Sequence, residues 1–118
     1  MINKLDYIIN WEKTSTDIYR KINALYPRAN TTYKSKNLKL IKIKILTTDE
    51  IQNKNYKLLS NIFKPGIIIG LIEKEGIIIT TKTDPILLLE AKLEGKNVSI
   101  QNQLIQQLNP VIGEKFSD

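Results

Sequence analysis

Two isoleucine-rich runs on either side of a glycine turn constrain the fold of this chain most strongly. Residues 65–82 read PGIIIGLIEKEGIIITTK. β-Branched side chains favour strands, and Gly76 can supply the positive φ that a tight turn needs. The stretch therefore predicts a β-hairpin that turns at residues 73–76. Gly70, in the middle of the first run, is typical of a bend or of a close backbone approach.

A second strand is predicted at residues 37–46, where lysines alternate with aliphatic residues in NLKLIKIKIL. The alternation changes phase between Leu40 and Ile41, and a β-bulge there would restore one apolar face. Lys42 and Lys44 would then share the outer face. There they could form part of a binding surface, or they could protect a strand edge from aggregation.

Short helices are predicted near both ends of the chain. The capping pattern of Thr14 and Asp17, followed by apolar residues at helical spacing, begins a helix over residues 15–26. Pro27 ends this helix, because the residue before a proline is pushed out of the helical region. Inward-facing leucines and isoleucine predict a second helix over residues 101–108.

The remaining segments complete a mainly β fold. Residues 85–95, PILLLEAKLEG, predict a third strand, and Trp11 is expected to anchor the core rather than to stack on bases. Residues 47–64 are polar, and we expect a loop there with a short helical turn near residues 56–63. Mostly strands with small flanking helices predict a β-barrel of OB-like type. A chain of 118 residues suits one such domain, spanning residues 1–118, rather than two.

Most catalytic and metal chemistry is excluded by what the chain lacks. Cysteine and histidine are absent, which removes thiolate chemistry, the commonest general base and the commonest transition-metal ligand. Glu90 interrupts an apolar strand, and we expect it to pair at the end of the barrel rather than to transfer protons. No catalytic or metal site is therefore predicted. No apolar run approaches the roughly 18–20 residues of a membrane span.

Positive charge is concentrated in the first half of the chain, whose net charge is +6 overall. Residues 1–63 contain 12 Lys and Arg against 5 Asp and Glu, whereas residues 64–118 contain 6 against 7. No acid occurs in residues 18–48. One-sided positive charge favours a polyanionic partner, with nucleic acid ahead of membrane. The basic residues of this stretch are the candidate binding residues: Arg20, Lys21, Arg28, Lys34, Lys36, Lys39, Lys42 and Lys44.

A second interpretation of the lysines is compositional. Ile, Lys and Asn account for 48 of the 118 residues, and A/T-rich codons encode all three. Such a codon bias would add lysine throughout the chain, but it would not remove acids from one stretch. We therefore favour a functional surface over a merely solvated face.

Three segments, taken in order, cover almost the whole chain. They read IINWEKTSTDIYRKINALYPRANTTYKSKNLKLIKIKIL, PGIIIGLIEKEGIIITTKTDPILLLEAKLEGKNVS and IGEKF. Together they resemble the C-terminal domain of methionyl-tRNA formyltransferases. The matching positions are Asn10, Trp11, Ile22, Pro27, Pro65, Gly66, Gly76, Gly95, Lys96, Gly113 and Phe116. The pattern is broken at Asn23, where an arginine is expected, and in PRANTTY, which replaces a proline- and glycine-rich segment.

This resemblance implies an OB-like barrel joined to an N-terminal Rossmann-type catalytic domain, which formylates initiator methionyl-tRNA with 10-formyltetrahydrofolate. The catalytic Asn, His and Asp would belong to that domain, so we expect this chain to be inactive alone and to hold no cofactor. The basic candidate residues would contact tRNA phosphates. We expect initiator tRNA and the catalytic domain as partners, no membrane, a monomer and a cytoplasmic location. Because Met1 stands where the interdomain linker should end, we also expect an excised domain.

Other functions stay open on the sequence alone. The chain could be an accessory domain of another 10-formyltetrahydrofolate-dependent formyltransferase, acting on a sugar or folate, although that role has less need of a basic face. It could be a free-standing OB-like module that binds single-stranded nucleic acid, but only Tyr26 and Tyr33 are interleaved with the basic stretch for stacking. It could also be a structural spacer for a partner domain.

Overall fold

The computed structural model describes residues 7–56, 58 and 64–116, and this part of the chain contains three helices and six strands. The helices are α1 (Ser15–Leu25), α2 (Thr48–Lys54) and α3 (Gln101–Leu108). The strands are β1 (Asn30–Tyr33), β2 (Lys36–Ile45), β3 (Ile68–Ile72), β4 (Gly76–Ile79), β5 (Ile86–Leu93) and β6 (Val98–Ile100). The predicted mainly β fold with short flanking helices is confirmed.

Strand β5 is the centre of a single antiparallel sheet, in which the strands follow the order β1–β2–β5–β4–β3. One edge of β5 pairs with β2 along its whole length. Its other edge pairs first with β4, through residues 86–88, and then with β6, through residues 90–92. β5 therefore has neighbours on both sides at almost every position.

The two end strands of the sheet pair with flanking segments and not with each other. Beside β1, the amide of Ile9 donates to the carbonyl of Asn30 at 2.8 Å. Beside β3, the amide of Ile68 donates to the carbonyl of Glu114 at 2.9 Å. Within the described residues β1 and β3 do not pair, so the sheet stays open where an OB-like barrel would close. The flanking segments occupy the edges that closure would need.

The β-bulge predicted in β2 is present. The register with β5 shifts between Leu40 and Lys42, and again between Lys42 and Ile43. Leu38, Leu40 and Ile43 consequently all face the same core. The bulge thus restores a single apolar face on a strand whose sequence alternation is interrupted.

The main core lies between one face of the sheet and helices α1 and α3. Trp11 is only 2% exposed and stacks on Phe116, with 5.6 Å between the ring centroids. Its indole N–H donates to Oγ1 of Thr31 at 3.0 Å, so the polar end of this buried ring is satisfied. Trp11 anchors the core as predicted, and it joins the segment before α1 to the segment after α3.

Both predicted terminal helices are confirmed. The amide of Asp17 donates to Oγ1 of the N-cap residue Thr14 at 3.1 Å, which begins α1 where the capping pattern indicates. The buried face of α1 carries Ile18 and Ile22. Helix α3 likewise turns its leucines into the core and leaves its amide side chains outside.

A second apolar cluster lies on the opposite face of the sheet, with helix α2 against it. Its buried members are Leu46, Ile69, Ile78 and Leu87. Ile51 of α2 packs against this cluster.

The predicted loop is wrong at helix α2, which begins where the amide of Glu50 donates to Oγ1 of Thr47 at 3.2 Å. Acids in its first turn and Lys54 in its last turn complement the helix dipole. The helical turn predicted near residues 56–63 lies almost wholly outside the described residues.

The predicted hairpin is present as β3 and β4. The positive φ within its turn is that of Lys74, +66°, and not that of Gly76 as predicted. Gly76 is the first residue of β4 and has a φ of +156°. A Cβ added at Gly76 would lie 2.0 Å from the carbonyl oxygen of Leu88. The register of β3 with β4 shifts between Ile68 and Gly70. A Cβ added at Gly70 would lie 2.6 Å from Cδ2 of Leu58, so the close approach here involves a side chain.

We expect Gly76→Ala to lower the free energy of unfolding by at least about 2 kcal/mol, because the methyl group would collide with backbone at an unfavourable φ. Gly95→Ala is the matched control. Gly95 also has a positive φ, +79°, but its added Cβ meets no atom within 4 Å, so only the backbone strain of about 1 kcal/mol remains. Urea unfolding monitored by Trp11 fluorescence measures the free energy of unfolding of both variants. Equal decreases would show that the collision at Gly76 does not affect stability.

Glu114 ties the segment after α3 to strand β1. The hydroxyl of Tyr33 donates to Oε1 of Glu114 at 2.7 Å, and the amide of Val111 donates to the same oxygen. These two hydrogen bonds, that from Tyr33 being the stronger influence, lower the pKa of Glu114 from its ordinary value of 4.5. Burial and the same carboxylate raise the pKa of Tyr33.

The lowered pKa of Glu114 predicts an acid-sensitive contribution to stability. A carboxylate with a lowered folded-state pKa stabilises the fold above its unfolded value, and this contribution is lost as pH falls through the folded value. We expect Glu114→Gln to cost about 1 kcal/mol near neutral pH. The difference from the wild-type chain should shrink as pH falls below 4.5. Unfolding curves at a series of pH values test this, and a difference that does not change with pH would contradict it.

Candidate nucleic-acid interface

The structure distributes the basic candidate residues among three places. The α1 group comprises the residues on helix α1 and just after it, the turn group surrounds the β1–β2 turn, and the strand group lies on β2. The α1 group is Arg20, Lys21 and Arg28. The turn group is Lys34 and Lys36, and the strand group is Lys39, Lys42 and Lys44.

The strand group lies on the face of the sheet that is turned away from the main core. Because Leu38 and Leu40 point into that core, Lys39 points to the other side. Lys39 lies directly opposite Lys92 of β5, which stands between the core residues Ala91 and Leu93. We call the face that carries Lys39, Lys42, Lys44 and Lys92 the basic face.

Exposed apolar side chains of β6 border the basic face. Val98 lies opposite Lys92, and Ile100 lies opposite Glu90. Both are unusually open for their type, with 50% of Val98 and 42% of Ile100 exposed. Positive charge beside exposed aliphatic surface is suited to contact with a partner rather than to solvent alone.

Acidic residues neutralise part of the basic face. Nζ of Lys44 lies 2.7 Å from Oε2 of Glu50 on α2. This charged hydrogen bond from Lys44 is the main reason why the pKa of Glu50 is lowered. Glu90 lies opposite Lys42 in the β2–β5 register. Lys39 and Lys92, in contrast, lie opposite each other, and among the described residues neither forms an ion pair.

The α1 group is separated from the basic face by the sheet, because α1 packs on the core side. Nζ of Lys21 donates to the carbonyl of Ile8 at 2.6 Å. The guanidinium of Arg28 lies over the ring of Tyr7, 5.9 Å from its centroid. Arg20 is exposed and makes no hydrogen bond or ion pair within the described part of the chain. Two of the three members are therefore engaged in contacts inside the domain.

The turn group is divided in the same way. Nζ of Lys34 donates to the carbonyl of Asn109 at 3.0 Å, at the end of α3, and lies 4.0 Å from Glu114. Lys34 thus neutralises the C-terminal end of a helix, a position that favours a cation. Lys36 is exposed, with no hydrogen bond or ion pair to any described residue.

Sequence reasoning missed residues that border the basic face. Lys92 could have been found, because it takes the outward position in the predicted third strand. An open polar groove between β6 and α3 could not, since β6 itself is not predicted. The groove carries no carboxylate, and its lining residues are Lys96, Asn97, Val98, Ser99, Gln103, Gln106 and Gln107. Lysine and amide side chains together can meet phosphates and the polar edges of nucleotides.

The described residues provide little for catalysis or for a metal. Among them there is no group of three or more acidic residues that could hold a metal ion. None of the helices in this part of the chain is long and apolar enough to cross a membrane. The features that remain are a basic face, an apolar border and a polar groove.

Comparison with known proteins identifies the family. The formyl transferase C-terminal domain family matches residues 1–109, and the chain belongs to this family. Over its full length it is 86% identical to a methionyl-tRNA formyltransferase from Prochlorococcus marinus subsp. pastoris and 80% identical to one from strain MIT 9515 of the same species. A methionyl-tRNA formyltransferase from Synechococcus sp. strain CC9902 is 34% identical over 98% of the chain.

The chain spans 36% of the length of each of these relatives. The resemblance to the C-terminal domain of methionyl-tRNA formyltransferases, seen in the order and spacing of its motifs, is thereby confirmed.

Proposed function

We propose that this chain is the tRNA-binding, non-catalytic domain of a methionyl-tRNA formyltransferase. It would hold initiator methionyl-tRNA in the orientation needed for N-formylation in translation initiation. The observation that carries the proposal is the basic face, found on a domain whose relatives are named for a tRNA substrate. A cytoplasmic, monomeric enzyme would suit this role.

The pairing of Lys39 with Lys92 supports an anionic ligand. Like charges directly opposite each other on neighbouring strands destabilise a sheet. Lys39 and Lys92 occupy such a position, and a bound phosphate would remove their repulsion. The exposed candidates Arg20 and Lys36 could add contacts elsewhere, whereas Lys21, Arg28 and Lys34 already have partners inside the domain.

Catalysis would belong to the preceding domain. Formyl transfer to an amine requires removal of a proton from nitrogen, and this chain has neither histidine nor cysteine to act as base or nucleophile. The catalytic domain would therefore bind 10-formyltetrahydrofolate and carry out the transfer. This chain would contribute substrate affinity and orientation, which can account for a large part of a rate enhancement.

The alternative functions receive less support. An accessory domain of a sugar or folate formyltransferase has less need of a basic face, and the relatives described above carry the methionyl-tRNA name. A single-strand binder needs aromatic platforms beside its basic groove. Tyr33 is buried against Phe116, and Tyr26 lies at the end of α1, so neither tyrosine lies on the basic face.

We expect the chain to bind initiator tRNA with a strong salt dependence, which depends on the basic face. Each neutralised phosphate contributes roughly 0.7–0.9 to the slope of log K against log salt. The double variant Lys39→Gln/Lys42→Gln should lower the magnitude of that slope by about 1–2 units. Lys44 is left intact, because its loss would leave Glu50 without its ion-pair partner. Fluorescence anisotropy with labelled tRNA at several salt concentrations gives the slope.

The matched control is Lys82→Gln/Lys115→Gln, which removes the same charge from two exposed lysines away from the basic face. Lys74 is unsuitable as a control, because it lines the same small cavity as Lys42. The control should keep the wild-type slope. If both double variants lose the same affinity, only net charge matters and the basic face is not the binding surface.

We also expect the chain alone to transfer no formyl group. The assay mixes it with methionyl-tRNA and 10-formyltetrahydrofolate and measures formylmethionyl-tRNA, with the full-length relative from Prochlorococcus marinus subsp. pastoris as the positive control. Product above the protein-free blank would contradict the proposed division of labour. The physical reason is the lack of histidine and cysteine and of an acidic cluster in the described residues.

A further inference from the structure

A single peptide group fixes the segment that leads into this domain. We call residues 7–11 the lead-in segment. In the peptide between Ile8 and Ile9, the N–H donates to the carbonyl of Asn30 at 2.8 Å, and the C=O accepts from Nζ of Lys21 at 2.6 Å. Because a trans peptide is planar, its N–H and C=O point in opposite directions. Two different elements, β1 and α1, therefore hold the two ends of one rigid unit.

The hydrogen bond from Lys21 lies beside a gap in the apolar packing. A cavity of about 200 Å³ separates the lead-in segment from α1, and Ile9 and Ile18 contribute to its wall. Lys21 is only half-buried, yet its ammonium reaches the carbonyl at a short distance, as expected for a charged donor. On this side, the described residues show no hydrogen bond from α1 to the lead-in segment other than that of Lys21.

Arg28 makes a weaker contact one residue earlier. Its guanidinium lies over the ring of Tyr7, and its Nη1 lies 3.4 Å from the Tyr7 hydroxyl. The carbonyl of Arg28 accepts from the side chain of Asn30 at 3.0 Å, so Arg28 is itself held against β1. The side chains of Ile9 and Trp11, at and after the peptide held by Lys21 and Asn30, are buried in the core. The chain direction is thus defined throughout the lead-in segment.

We propose that Lys21, with a smaller contribution from Arg28, is a positioning residue that sets the direction in which a preceding catalytic domain joins this one. The inference rests on the proposed function. The family is a C-terminal domain, and the chain spans only 36% of its relatives' length, so in those relatives a larger part precedes it. These two cations then act on the reaction through chain geometry, whereas the basic face acts through tRNA.

The physical consequence concerns where the bound tRNA is presented. A junction with a fixed direction confines the tRNA end to a small volume near the catalytic domain, and a loose junction lowers its effective concentration there. Loss of the Lys21 hydrogen bond should therefore lower kcat and leave the KM for tRNA nearly unchanged. Loss of a phosphate contact should instead raise KM.

The first experiment measures amide hydrogen exchange in this chain. Lys21→Met keeps the side-chain length but cannot donate, and we expect the Ile9 amide to exchange about tenfold faster or more. The amide of Leu40, which donates to the carbonyl of Ala29 immediately before β1, should keep its wild-type rate. Lys13→Met is the control, because Lys13 lines the same cavity but bonds to the lead-in segment only through its backbone amide, which donates to the carbonyl of Asn10 and is kept in the variant. Lys21→Arg, which can still donate, should restore slow exchange.

The second experiment measures formylation in a chimaera that joins this chain to the preceding part of the 86%-identical relative. We expect Lys21→Met to lower kcat about tenfold with little change in KM, since misplacement of a reacting group by a small distance has effects of this size or larger. Lys13→Met should behave as wild type, and Lys21→Arg should recover most of the activity. Arg28→Gln, at an exposed position, should give a smaller decrease of the same kind, and it serves if Lys21→Met fails to fold.

The outcomes separate this inference from the proposed function. Unchanged Ile9 exchange in Lys21→Met, together with weaker tRNA binding and a smaller salt slope, would make Lys21 a phosphate contact and overturn the inference. Faster exchange with unchanged kcat would also overturn it, because the Lys21 hydrogen bond would then have no role in positioning the catalytic domain. If the wild-type chain binds no tRNA, the proposed function fails, while Ile9 exchange still reports whether Lys21 holds the lead-in segment.

Discussion

The pairing of β5 on both of its edges is the interaction on which the rest of this domain depends. Residues 86, 88, 91 and 93 of β5 face the main core, and Leu87 faces the second cluster. Paired bulges in β2 and β5 let both strands keep an apolar face toward the core while their hydrogen bonds continue. One strand therefore supports both apolar layers, and it also carries Lys92 of the basic face.

The edges of the sheet explain why two distant parts of the chain meet. Open sheets leave unpaired backbone groups at their end strands. Here the lead-in segment covers β1 and residues 113–116 cover β3, and the rings of Trp11 and Phe116 stack between them. Glu114 and Tyr33 add a hydrogen bond across the same junction. Protection of the edges thus fixes the lead-in segment, whose direction is the property that we assign to Lys21.

The sequence predicted the elements whose signals are long and regular. The hairpin, the bulged lysine-rich strand and the two terminal helices each follow from periodicity, glycine placement or a capping pair. Strands β1 and β6 have only four and three residues, which is too short for an alternation to be recognised. Helix α2 has a capping pair in Thr47 and Glu50, but Ile51 is its one aliphatic residue. Its position depends on the apolar cluster beneath it, which a local pattern does not reveal.

The candidate site was predictable in composition but not in arrangement. An acid-free stretch of sequence shows that positive charge accumulates, yet side-chain direction depends on the bulge, the turn and the helix packing. Neighbouring lysines consequently take different roles. Lys39 faces outward beside Lys92, Lys34 neutralises the end of α3, and Lys21 holds a peptide group. The lysines with internal partners have less freedom to bind phosphate, since a new contact must replace an existing charged hydrogen bond. A count of basic residues therefore does not show how many of them share one exposed face, and the register of β2 with β5 is the better guide to that face.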